Sequence, residues 1–300
     1  MKIGMIGLGN MGGPMADWVL KAGFPLVVHD LRKDAAAGLM QRGATWADSP
    51  QALAEQCDLV ATCVPGPLEM ETAALGPQGL VNGIRSGAIY IDHTTNSPET
   101  VKRVGAAIKK RHADMLDAPV DGGREGALGG DLTLFVGGER PSVQRSRPVL
   151  DSFSKRVVWM GELGSGSVTK IVHNALAMSI DLLLAECLTM GIKSGVGLPQ
   201  LVKAVAEGTA LGGNMGLRKR WPDTVFRGDF TARFALRLAH KDFGLAAELS
   251  DRYRVPTRLI DICREEISEA LRRGWGHRDR TSATLLQEER AGVKLRLPDP

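Results

Sequence analysis

The sequence predicts an α/β protein in two parts, a doubly wound, mostly parallel sheet over residues 1–163 and an all-helical part over residues 164–300. Three observations carry this expectation. Short apolar runs alternate with helical patterns through the first half. The alternation stops after Gly164, and a long segment then follows that is apolar around nearly its whole helical circumference. Composition agrees: 300 residues suit two ordinary domains, and 43% hydrophobic with 24% charged residues excludes disorder, collagen and coiled coil.

The runs at 2–6, 26–29, 59–64, 88–91 and 115–117 are brief, aliphatic or β-branched, and bounded by Gly, Pro or Asp, which predicts strands. Helical patterns at 14–22 and 98–110 fall between them. Such alternation implies parallel βαβ units with helices on both faces. Runs at 132–136 and 157–159 would extend the sheet. Residues 167–193 hold no proline and one internal glycine, Gly191. A helix there would span roughly 40 Å and, apolar on every side, would be buried. Its most apolar stretch, 175–192, is broken by Asp181 and Glu186, which argues against a membrane span. Further helices are expected at 199–206, 234–250 and 258–272, with no strand among them.

The net charge of +4 divides into −1 for residues 1–163 and +5 for 164–300. The basic excess is interleaved with acids and aromatics make up only 5%, so no dense stripe for nucleic acid is present. Cys57, Cys63, Cys187 and Cys263 form neither a CxxC pair nor a zinc spacing. They read as reduced core thiols of a cytoplasmic protein without a metal, and the opening apolar run is too short for a signal peptide. Glycine is the outlier, at 36 of 300 residues without a period. It gathers at 7–13, 122–130 and 161–166, where turns or close backbone approaches are expected.

The first window is Gly7-Leu8-Gly9-Asn10-Met11-Gly12, a G-x-G-x-x-G between a strand and a helix. Gly7 permits the tight turn, Gly9 lets a pyrophosphate approach the backbone, and Gly12 permits close helix–strand packing. The helix N-terminus then presents free N–H groups to the phosphates. Asp30 ends the second strand 18 residues beyond Gly12, where a carboxylate would accept the ribose hydroxyls and repel a 2′-phosphate. NAD is therefore expected over NADP, with Arg32 and Lys33 near enough to tolerate the latter.

The residues 7–16, Gly7-Leu8-Gly9-Asn10-Met11-Gly12-Gly13-Pro14-Met15-Ala16, resemble the cofactor signature of the β-hydroxyacid dehydrogenases. Asp117-Ala118-Pro119-Val120-Asp121-Gly122-Gly123 is similar to that family's substrate motif. Gly164-Ser165-Gly166-Ser167-Val168-Thr169-Lys170-Ile171-Val172-His173-Asn174 resembles its catalytic motif, and Lys241-Asp242 its late Lys-Asp pair. The resemblance spans nearly the whole chain. It implies a Rossmann domain, a helical domain on a long interdomain helix, and a homodimer or homotetramer formed through the helical domain. It also implies Lys170 and Asn174 as catalytic residues, and Val64, Pro65, Thr95 and Lys241 beside the cofactor or reaction centre.

The residues themselves agree. Lys170 and Asn174 are four apart and share a helical face. A lysine on an apolar helix is costly to bury charged, which suits proton transfer, and an asparagine offers both a donor and an acceptor to orient a substrate oxygen. His173 reads as structural. Gly122 and Gly123 can present backbone N–H groups to a substrate carboxylate. Asp121 departs from the family, which resembles this stretch with a serine there. Either Asp121 turns away, paired for instance with Arg124, or the substrate carries a positive or donor-rich group such as that of a β-hydroxy-α-amino acid.

The expected activity is hydride transfer between NAD and a short 3-hydroxy acid, or reduction of the corresponding aldehyde acid. An imine reductase or a non-catalytic reader with the same nucleotide fold is the alternative, and Lys170 with Asn174 counts against both.

Overall fold

The computed structural model describes residues 1–207, 220–254 and 256–297 and, within them, every side chain except those of Glu186, Cys187, Met190 and Tyr253. Cys187, expected as a core thiol, thus lies outside the described side chains. The chain forms two compact units, Met1–Ile171 and Val172–Pro300.

In the first unit, β1 (Ile3–Ile6) lies between β2 (Leu26–His29) and β4 (Leu59–Thr62). β3 (Thr45–Trp46) continues one side, and β5 (Ile89–Asp92) and β6 (Asp114–Asp117) the other, all parallel. The strand order is therefore 3-2-1-4-5-6, with the order of strand addition reversing between β1 and β4. Beyond β6, β8 (Leu132–Gly137) runs antiparallel and pairs with the two-residue β7 (Val120–Asp121); β9 (Ser154–Gly161) pairs parallel with β8.

Successive strand residues point to opposite faces, and here both faces are covered. Ile3, Met5, Val28, Ile91 and Leu116 enter one core; Ile6, Val27, Val60, Tyr90 and Met115 enter the other. This two-sided burial is why these strands read as continuous apolar runs. α1 (Gly12–Lys21) follows the first glycine window, and α5 (Pro98–Lys109) begins behind Ser97, whose hydroxyl accepts the Thr100 N–H with Pro98 at the first helical position. The short elements β3, β7, α2 (Ala37–Gln41), α3 (Pro50–Ala54), α4 (Pro67–Leu75), α6 (Gly123–Gly129) and α7 (Arg140–Leu150) were not foreseen. Most are too brief to show a period.

The long helix α8 (Ser165–Lys193) starts in the first unit and continues into the second. There it is joined by α9 (Leu198–Glu207), α10 (Leu236–Tyr253), α11 (Arg258–Arg272) and α12 (Thr284–Ala291). One core gathers on Trp221 with Leu184, Leu188 and Phe226, and another on Phe243 with Met178, Leu236 and Ile267. Asp181 is buried beside Trp221, whose Nε1 donates to its Oδ1 at 3.1 Å, and Arg280 Nη2 lies 3.1 Å from its Oδ2. Burial pushes its carboxyl up to about 6.

Within the single chain α8 is not buried all round. Val172, Leu176 and Leu183 are 57%, 61% and 58% exposed, and their spacing of four and seven places them in one stripe. The opposite side supplies Met178, Leu184 and Leu188 to the cores, so the packed helices take one side of the apolar surface and leave the other open. By length and composition alone Ser165–Ala185 could cross a membrane, but Lys170 and Asp181 within it are ion-paired to Asp121 and Arg280.

Candidate functional site

In open α/β sheets ligands bind outside the carboxyl ends of the strands, at the point where strand order reverses. Here that point is flanked by the loops after β1 and β4. Gly7 has φ +88°, and a Cβ on it would lie 2.5 Å from the Cys63 carbonyl oxygen. A Cβ on Gly12 would strike the Gly7 carbonyl oxygen, whereas one on Gly9 would meet nothing within 4 Å. The three glycines thus do three separate things: turn, leave open backbone, and pack close. Asp30 fixes the same loop from β2, its Oδ2 accepting the Leu8 N–H at 2.7 Å and its Oδ1 the Arg32 N–H at 2.9 Å. Leu8 is buried, Asn10 is exposed and Met11 half-buried.

A row of polar side chains crosses the carboxyl ends of β4, β5 and β6, where Thr62, Asp92 and Asp117 are paired in register. Asp92 is fully buried. Its Oδ1 accepts from the Thr62 hydroxyl at 2.8 Å and the Thr94 N–H at 3.1 Å; its Oδ2 accepts from Asn96 Nδ2 at 2.9 Å. Burial still pushes its carboxyl up to about 6. The Thr94 hydroxyl in turn accepts the Val64 N–H at 3.2 Å. Val64 and Thr95 are half-buried and Pro65 is exposed, in the loops that follow β4 and β5. His93 is buried against Phe153 with its Nδ1 2.7 Å from the Ala118 carbonyl, and burial pushes it down to about 4.

Asp117 holds the start of α8. Its carboxylate accepts the Gly164 N–H at 2.8 Å and the Ser167 N–H at 2.6 Å, while burial pushes its pKa upward. The glycines around it allow the approach: a Cβ on Gly166 would lie 2.7 Å from the Asp117 carbonyl oxygen. One turn along the helix, Lys170 is 7% exposed and its Nζ donates to Asp121 Oδ1 at 3.1 Å. Asp121 is half-buried, and Gly122 and Gly123 follow it, exposed and with positive φ of 123° and 61°. The structure therefore brings Lys170, Asp121, Gly122 and Gly123 together, and Asp121 is drawn to the lysine.

In the second unit Asn174 Nδ2 donates to Asp242 Oδ2 at 2.7 Å, and Lys241 Nζ lies 3.0 Å from Asp242 Oδ1. With its amide nitrogen so engaged, Asn174 keeps its Oδ1 toward His173 Nδ1, 3.4 Å away. Sequence reasoning placed Asp117 in the substrate motif but gave neither it nor Asp92 a role of its own. The available signal was an acid closing an otherwise apolar strand, as Asp92 and Asp117 both do. Among the described residues no three His, Cys, Asp or Glu side chains converge as metal ligands would.

Two family models match this chain. One, the NAD-binding domain of 6-phosphogluconate dehydrogenase, covers residues 2–161; the other, the NAD-binding domain of NADP-dependent 3-hydroxyisobutyrate dehydrogenase, covers 164–286. The chain is 31% identical over 295 residues to 2-(hydroxymethyl)glutarate dehydrogenase of Eubacterium barkeri, covering 98% of this chain and 97% of that one. It is 35% identical over 272 residues to 3-hydroxyisobutyrate dehydrogenase of Pseudomonas aeruginosa, covering 89% and 91%. Among solved structures, Mycobacterium tuberculosis 3-hydroxyisobutyrate dehydrogenase with L-serine superposes with TM-score 0.86 at 25% identity, over 95% of this chain and 98% of that one.

Proposed function

This chain belongs to the β-hydroxyacid dehydrogenase family, NAD(P)-dependent oxidoreductases acting on CH–OH groups, and on that premise we propose that it interconverts a short 3-hydroxy acid and its aldehyde acid with NAD preferred over NADP. The observation that carries the reading is Lys170: buried, on the first turns of a helix pinned by Asp117, with its Nζ 3.1 Å from Asp121 and beside the glycine pair.

Gly7, Gly9 and Gly12 with Leu8, Asn10 and Met11 would hold the pyrophosphate, and Asp30 the ribose; open backbone at Gly9 fits that role. The bound nicotinamide supplies the hydride acceptor, or the donor in reduction. Lys170, entering the oxidation as the neutral amine, would take the hydroxyl proton as the carbonyl forms, and the resulting ammonium would return it in the reverse direction. Asn174, its amide held by Asp242, orients the reacting oxygen, and Lys241 lies beside the same carboxylate. Gly122 and Gly123 receive the substrate carboxylate on their backbone N–H groups.

Asp121 bears on the substrate. A carboxylate next to the proposed carboxylate cradle disfavours a plain hydroxy acid and favours one with an ammonium or additional hydroxyl. L-serine, named with the M. tuberculosis structure, is such a molecule. The exposed stripe of Val172, Leu176 and Leu183 supports a homodimer or homotetramer through the helical unit; a monomer in sedimentation equilibrium at micromolar concentration would contradict that.

The test is NADH formation with a panel of 3-hydroxy acids that includes L-serine, repeated with NADP. Lys170→Ala should lose turnover by orders of magnitude and still bind NADH. Full activity in that variant removes the proton-transfer role, and a strong NADP preference removes the assignment of Asp30.

A further inference from the structure

We propose that Asp92 is a positioning residue for cofactor binding, clamping the loop after β4 to the loop after β5 and so holding Val64, Pro65 and Thr95 where the dinucleotide lies. The inference rests on the reading above that these loops receive the cofactor.

Asp92 stands one strand beyond the β1–β4 reversal and acts through its neighbours. From β4, the Thr62 hydroxyl donates to Oδ1; since that proton is committed, the Tyr90 hydroxyl, 2.8 Å from Thr62 Oγ1, is the donor in the next link. From the β5 loop, the Thr94 N–H donates to the same oxygen, and Thr94 Oγ1 accepts the Val64 N–H. Asn96 Nδ2 fills Oδ2 while Asn96 Oδ1 accepts the Ser97 N–H at the head of α5. One carboxylate therefore ties β4, the loop behind it, the β5 loop and the helix cap.

Strand pairing does not ask for this acid. Ile89, Tyr90 and Ile91 precede it in the same strand with uncharged side chains, and a fully buried carboxylate is costly unless several donors compensate. The donors it gathers lead into the two loops. The charge is thus retained where it fixes loop geometry, and a loop displaced by even 1 Å loses its fit to a ligand.

The test exploits the polarity of the network. In Asp92→Asn an amide nitrogen faces the Asn96 amide nitrogen, donor against donor. In the exchange Asp92→Asn with Asn96→Asp, the new amide donates to the new carboxylate, whose other oxygen can accept the Ser97 N–H. NADH affinity is read by fluorescence titration, and hydrogen exchange at the Val64 and Thr94 amides is read in the cofactor-free protein. Asp92→Asn should weaken NADH binding and raise KM for NAD about tenfold, speed exchange at both amides, and leave kcat within about twofold. The exchange variant should recover most of the affinity.

Wild-type protein that binds no NADH overturns the functional reading itself. Wild type that binds while Asp92→Asn binds equally well overturns this inference. So does an exchange variant that regains thermal stability without regaining affinity. If Asp92→Asn does not fold, Thr94→Val cuts the link to Val64 and carries the same expectation.

Discussion

The Asp117 carboxylate accepts the backbone N–H of Ser167 at 2.6 Å, three residues before Lys170, so a side chain at the end of β6 sets where the proposed proton-transfer lysine begins its helix. The Gly164 N–H makes a second bond to the same group. Donors at a helix start have no partner within the helix, and here one buried acid answers two of them.

Asp117→Asn would keep the volume but leave one oxygen for two N–H donors. An unmatched buried donor costs about 1–3 kcal/mol. Lys170 would lose its fixed position, and kcat should fall about 10- to 100-fold while NADH affinity changes little. Steady-state kinetics with NADH titration checks this split. An unchanged kcat would free α8 of any dependence on Asp117.

Asp121 makes a different prediction, because it touches Lys170 directly. Asp121→Ser removes the repulsion that a plain 3-hydroxy acid meets, so kcat/KM for 3-hydroxyisobutyrate should rise relative to L-serine. A change of about tenfold in that ratio corresponds to roughly 1.4 kcal/mol of differential binding, modest for a partly exposed charge. An unchanged substrate profile would remove Asp121 from specificity.

The parts of the protein legible in the sequence are those whose physics is local or periodic. Five of the six parallel strands β1–β6 were readable because burial on both faces makes them continuous apolar runs, and α11 was placed residue for residue by its amphipathic period. The turn after β1 was readable because two of its glycines answer steric demands, Gly7 a positive φ and Gly12 a close backbone approach. The partners of Lys170 and Asn174 were not, since Asp121 lies 49 positions from Lys170 and Asp242 lies 68 from Asn174. Sequence spacing contains no such contact. For α8, composition shows that a helix apolar all round offers more surface than one small helical part covers, but not which side its neighbours leave open.

The glycine roles can be separated experimentally. Gly9→Ala places a methyl group in open space, so the cofactor-free protein should keep its melting temperature within about 2 °C while NADH affinity falls. Gly12→Ala drives a Cβ into the Gly7 carbonyl oxygen, which cannot yield without moving the turn. That variant should be destabilised by about 1–3 kcal/mol even without cofactor. Thermal melts of both apo variants decide the matter, and equal melting temperatures would refute the distinction.

Asp92 and His93 are neighbours that burial drives in opposite directions, the acid from 3.8 up to about 6 and the imidazole from 6.5 down to about 4. For Asp92 the folded state holds a proton that the unfolded chain has released, so its stability contribution is full below pH 3.8 and is lost as pH rises through about 6. For His93 the unfolded chain takes a proton that the buried ring refuses, so its contribution is full above pH 6.5 and is lost as pH falls toward about 4. Each amounts to about 3 kcal/mol, and between pH 4 and 6 the two slopes oppose each other. Asp92→Asn removes one slope and should make stability fall more steeply on acidification than in the wild type. His93→Gln removes the other and should flatten or reverse the fall. Urea unfolding at pH 4.5 and 6.5 measures both. A variant of Asp92 whose pH slope matches the wild type would mean that this carboxyl titrates alike in the folded and unfolded chain.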